Sequence, residues 1–162
     1  MYSNIRPFVF ISTILLLSSG LAAYGQSADL VTEHFTALNS HDIKMLAGQY
    51  ADSAQVFSPN WEGAKIGPGG IMAAYTRYYK STPDLTYTIT NTIKAGNMVI
   101  VEYSWSGTMA KPEAGEPAYM EGKKYTLKSC AIFVIKNNQI VKETNYFDQV
   151  AFLRQVGFFD HH

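Results

Sequence analysis

Cysteine is nearly absent: Cys130 stands alone among 162 residues, so an internal disulfide is excluded. Charge is also scarce, with 13 basic and 13 acidic residues, 16% of the chain, and no net charge. No basic run occurs, and nucleic acid or an anionic membrane surface needs clustered Lys and Arg. Neither is expected as a partner. His34, His41, His161 and His162 form no ligand spacing with carboxylates or Cys130, so no metal and no other cofactor is expected. No Gly-rich phosphate loop follows a strand, and no serine sits in a nucleophile elbow.

The chain has instead a polarised N-terminus and many rings. Residues 1–25 have the layout of a secretory signal: Arg6, the apolar run FVFISTILLLSSGLAA, then Ala23-Tyr24-Gly25 as a small-residue cleavage site. The most apolar part, Phe8 to Leu17, is about half of the roughly 20 residues a bilayer span requires, which argues against an uncleaved anchor. The expected product is residues 26–162, one exported domain, periplasmic or secreted, without a membrane segment and with no cysteine placed to accept a lipid. Only Arg6 is lost from the charged residues, leaving 12 basic against 13 acidic. Eleven Tyr and nine Phe suit either a packed core or a wall around an apolar or aromatic small molecule.

Residues 28–39 place Leu30, Val31, His34, Phe35 and Leu38 on one helical face. Ser40 or Asp42 is positioned to cap a second helix, which runs through Tyr50 with Ile43, Leu46 and Tyr50 on one side. A short strand at 54–57 follows. After a loop around Trp61, Gly67-Pro68-Gly69-Gly70 opens a third helix whose stripe is Ile71, Ala74, Tyr75, Tyr78 and Tyr79. From Leu85 the period becomes two. Leu85, Tyr87, Ile89 and Ile93 alternate with threonines, then Val99, Val101, Tyr103 and Trp105 alternate with polar neighbours. Strands at 125–135 and from Ile140 complete four antiparallel strands, an α+β layout with the helices on one face of a curved meander.

The order of these elements, with the strings ALNSHDIKMLAGQYADSAQVFSP, Ser106-Gly107-Thr108 and NNQIVKETNYFDQVAFLRQVG, resembles the SnoaL-like branch of the nuclear-transport-factor-two-like superfamily over essentially the whole mature chain. The resemblance implies a cone-shaped domain: a curved antiparallel sheet, three N-terminal helices and a short C-terminal helix around a mostly apolar pocket. It also implies a homodimer through the exposed sheet face. Members include cyclases, isomerases, dehydratases and domains that only bind or associate.

The steroid-isomerase-like positions are filled here by His34, Ser58 and Ala131, which cannot supply its carboxylates. The cyclase-like position for a general acid/base aspartate matches Asp148, followed by Gln155-Val156-Gly157. Where that family pattern has a tryptophan, Thr144 stands. Burial of Asp148 at a pocket mouth would suit it for cofactor-independent proton transfer, and an Asp at that place is equally a helix N-cap. His34, Tyr50, Trp61, Tyr75, Tyr79, Tyr103, Trp105 and Tyr146 are candidates for contact with the ligand, or else core residues. Glu102 and Glu143 are expected to face solvent.

Overall fold

The computed structural model describes residues 30–111 and 117–160, and the expected export signal lies outside them. Residues 30–40 are helical (α1) and bury Leu30, Val31, His34, Phe35, Ala37 and Leu38. The face is the one the spacing predicts, because residues three and four apart stack on one side of a helix. His41, with φ of 55°, turns the chain, and Asp42 caps α2 (Ile43–Gly48) by accepting from the Met45 amide at 2.9 Å. β1 (Tyr50–Phe57) begins earlier than the expected strand and takes Tyr50 out of the second helix. The reason is tertiary: Tyr50 pairs with Ile140 across a parallel ladder.

β2 (Lys65–Ile66) lies antiparallel to β1 and leads into α3 (Gly67–Ser81). Gly67 has φ of 57°, and a Cβ there would sit 2.3 Å from the Asp52 carbonyl oxygen, so the strand-to-helix turn requires glycine. Pro68 then enters the first helical turn, where its missing N–H leaves no bond unmade. Ile71, Ala74 and Tyr75 of the predicted stripe are buried.

The remaining strands are β3 (Thr86–Ala95), β4 (Met98–Thr108), β5 (Lys124–Lys136) and β6 (Gln139–Phe147). They form the expected antiparallel meander, and β1 extends it by running parallel to β6, giving the order β2-β1-β6-β5-β4-β3. α1 packs on the inner face, His34 against Phe133 at 5.1 Å and Phe35 against Tyr103 at 5.2 Å between ring centres. α4 (Gln149–Gln155) lays Phe152 edge-on to Tyr125 at 5.1 Å. No helix among the described residues is long and apolar enough to cross a membrane.

Two irregularities overturn sequence expectations. The β3–β4 register shifts between Ile89 and Asn91, so Ile93 pairs with Ile100 on the outer face and is 50% exposed rather than inward. The β5–β6 register shifts at Ile135, bringing Ile140 and Glu143 to the same interior. Glu143 is therefore 2% exposed, not solvent-facing as its neighbours suggested. One extra residue in a strand reverses the side-chain alternation beyond it. Glu102, by contrast, is on the outer face and exposed as expected.

Candidate functional site

The inward positions of the meander end in rings, and the C-terminal part of the fold closes over them without filling the space. A cavity of about 280 Å³ lies there. α3 and the turn after it contribute Arg77, Tyr78, Ser81, Thr82 and Leu85; the sheet contributes Trp105, Tyr125 and Phe147; α4 contributes Gln149, Phe152 and Leu153. Met109, Met120, Phe158 and the loop residues Asn60 and Trp61 complete the lining. Close approach at one edge depends on Gly107, where a Cβ would meet the Thr82 methyl at 2.2 Å. A smaller recess of about 40 Å³ shares Asn60, Trp61, Tyr78, Trp105 and Phe147 with this cavity and adds Ser58, Tyr75, Tyr87, Tyr103 and Asn145.

The polar ends of the large side chains are bound within the protein, which leaves apolar faces for the cavity. Trp105 Nε1 donates to Ser129 Oγ at 2.6 Å. Tyr125 donates to Thr82 Oγ1 at 3.2 Å. Asn60 Nδ2 donates to the Tyr78 hydroxyl oxygen at 2.8 Å, and Trp61 Nε1 donates to the same oxygen.

Beside the recess a hydrogen-bonded chain runs into the core. Tyr103 donates to Asn145 Oδ1 at 3.1 Å, Asn145 Nδ2 donates to Glu143 Oε1 at 2.7 Å, and the Tyr50 hydroxyl donates to Glu143 Oε2. Hydroxyl and amide groups thus hold the Glu143 carboxylate. Burial pushes the Tyr50 and Tyr103 hydroxyls well above the usual tyrosine range, and the nearby negative charge of Glu143 adds to that rise. Both remain protonated donors. His34 is buried with Nδ1 3.0 Å from Gln49 Oε1. Burial holds its pKa below the ordinary value, against the opposing pull of Glu143 and the Gln49 hydrogen bond.

Asp148 is exposed and caps α4, its Oδ1 accepting from the Ala151 amide at 2.9 Å. Its neighbours Phe147 and Gln149 line the cavity, and Asp148 does not. The burial on which its acid/base role was expected to rest is not there. Gln155 serves the fold instead: it accepts from the Thr126 amide at 2.8 Å and donates to the Thr126 carbonyl at 3.0 Å, pinning α4 where β6 has ended.

A family model for the SnoaL-like domain matches residues 31–143. The chain belongs to the SnoaL-like domain family. Solved structures agree on the fold. A protein assigned as a SnoaL-like polyketide cyclase from Jannaschia sp. CCS1 superposes with a TM-score of 0.73 at 16% identity, covering 83% of this chain and 93% of that one. TsrD from Streptomyces laurentii gives 0.70 at 22%, covering 82% and 96%. A protein of ketosteroid isomerase-like fold from Catenulispora acidiphila, solved with trimethylamine, gives 0.66 at 18%, covering 79% and 92%. At such identities the likeness carries the fold and none of the chemistry. No curated protein matches the chain.

Within this SnoaL-like domain, Trp61 and Trp105 line both spaces, and Tyr75 and Tyr103 line the recess. Tyr50 belongs to the packed core, and His34 is buried against it, 1% exposed. Tyr79 is a packing residue that donates to the Leu38 carbonyl at 2.9 Å and stacks on His41 at 4.0 Å. Tyr146 lies on the opposite face, 54% exposed and one position out of phase with Asn145 and Phe147, where it lines an open groove of about 690 Å³ with Thr90, Glu102, Lys128 and Cys130. Sequence reasoning missed Asn145, Phe147 and the α4 face carrying Phe152 and Leu153. The alternation of Glu143, Asn145 and Phe147 was a usable signal, hidden by the register shift before it.

Proposed function

We propose that this domain binds a small, largely apolar or aromatic molecule between α3, the inner sheet face and α4. The observation that carries this reading is the 280 Å³ cavity, whose lining is dominated by aromatic, Leu and Met side chains with a few polar groups. That is near the small end of ligand sites and matches their chemistry. Its aromatic groups have their polar atoms bound elsewhere, so what they offer a ligand is apolar surface. Binding is favoured over proton transfer by Asp148, because that carboxylate is exposed and caps α4.

The test uses 2-naphthol as a probe, read by quenching of Trp61 and Trp105. Saturable binding is expected, weakened at least about tenfold by Leu153→Trp, which fills the cavity from a half-buried helix position. No saturable binding by a folded protein would end this reading. Asp148→Asn should leave binding unchanged; catalysis by Asp148 would instead show as turnover lost in that variant alone.

We also propose self-association and export. A homodimer would form through the outer sheet face, where Ile93, Ile100, Ile132 and Thr144 lie in register across four strands; a monomeric mass by light scattering at micromolar concentration would refute it. Export with cleavage before Gln26 rests on the sequence of residues 1–25, and an exported form that retains the Arg6 segment by mass spectrometry would refute cleavage.

A further inference from the structure

The recess beside the main cavity has an electrostatic character that an apolar ligand alone does not use. Two ring pairs border it in near-parallel planes, Tyr87 with Trp105 at 6.4 Å and 12°, and Trp61 with Tyr78 at 6.2 Å and 17°. Tyr75 and Tyr103 add two more rings. Aromatic faces carry the negative end of the ring quadrupole, and tryptophan presents the strongest such face to a cation.

Behind the rings lies Glu143, 2% exposed and held by a hydroxyl and an amide only. A buried carboxylate that no cation hydrogen-bonds is costly for the fold, and His34 is the buried basic group within electrostatic range of it. Its hydrogen bond from Asn145 Nδ2 fixes the amide so that Oδ1 is the end engaged by Tyr103. The dipole of Asn145 therefore extends the negative potential toward the recess that Asn145 lines. Arg77 is the one charged side chain lining the larger cavity, and it is exposed, where solvent screens it.

We propose that the recess holds the cationic head of an alkylammonium ligand whose apolar body occupies the 280 Å³ cavity. This assignment rests on the reading of that cavity as a small-molecule site. Tyr75, Tyr87, Tyr103 and Trp105 supply cation–π attraction, Trp61 already holding the Lys65 ammonium 5.8 Å from its ring centre; Glu143 supplies the compensating charge through Asn145, and the recess of about 40 Å³ takes the head of a small substituted ammonium.

The test compares choline with its neutral carbon isostere 3,3-dimethylbutan-1-ol, alongside 2-naphthol, on the wild-type protein by calorimetry or ligand NMR. Choline should bind about tenfold more tightly than the isostere, within the range of desolvated cation–π contacts. Glu143→Gln, which preserves shape, should remove most of that preference while leaving 2-naphthol affinity within about twofold. Should that variant fail to fold, Trp105→Leu should reduce the same preference. Wild-type protein that binds 2-naphthol but treats choline and the isostere alike overturns the ammonium assignment alone. Protein that binds none of the three overturns the cavity reading with it.

Discussion

Two halves of the interior use the same kinds of side chain to different effect. Around Phe133, the rings of His34, Phe35 and Tyr50 meet edge to face, with Leu46, Val56 and Ile140 fully buried between helices and sheet. Around Trp105, Tyr125 and Phe152 also meet edge to face, yet Leu85, Met109, Met120 and Leu153 are arranged around the 280 Å³ cavity. The first half fills volume and the second encloses it. Ring content alone therefore says little about a ligand site; what matters is whether the opposing element, here α4, is close enough to fill the space.

The sharpest way to break this contrast is to create a void in the packed half. Phe133→Ala should cost about 3–5 kcal/mol in denaturant unfolding, and a loss under about 1 kcal/mol would mean that this half is not packed as described. Next in size is Tyr50→Phe, which strips one hydrogen bond from a buried carboxylate. About 2 kcal/mol of stability should be lost, and an unchanged denaturation midpoint would show that Glu143 has another partner.

The buried histidine sharpens the contrast through pH. Burial holds the His34 pKa below its ordinary value of 6.5, so at mildly acidic pH the unfolded chain binds the proton more readily than the native one. The stability this group contributes is fully present above about pH 6.5. It falls by up to about 1.4 kcal/mol per pH unit below that value until His34 itself is protonated. Urea unfolding between pH 7 and pH 5 should show this fall, and a folded His34→Gln variant should flatten it. An identical slope in both proteins would show that His34 is not its source. The smallest effect belongs to the cap: Asp148→Ala should lose about 1 kcal/mol and Asp148→Asn much less, since either Asp or Asn can accept from the Ala151 amide. Equal losses would count against capping.

The fold was legible because its signals are local and periodic. The α1 and α3 stripes, the cap at Asp42 and the alternation of Val99, Val101 and Tyr103 each appear within a single turn or a few strand residues. β1 was underestimated because its pairing with β6 joins residues some ninety positions apart, and no local pattern announces a parallel partner. The lining of the cavity and its recess was legible in part for the same reason. Trp61, Tyr75, Tyr103 and Trp105 sit on regular elements whose phase can be counted, whereas Glu143 and Tyr146 follow a register shift that exchanges inside for outside. Asp148 has both of the features its motif suggested, a strand end and a helix start, and its exposure is decided by how α4 docks through Gln155 on Thr126, which is a tertiary fact.

A ligand bound as proposed would enter the half that encloses space. The methionine methyl groups report on it directly, because Met109 and Met120 line the cavity while Met45, Met72 and Met98 lie outside it, each 39% exposed or more. Titrating methyl-labelled protein with 2-naphthol should shift the Met109 and Met120 signals saturably and leave the other three in place. Shifts confined to Met45, Met72 or Met98, or no saturable shift at Met109 and Met120, would contradict it.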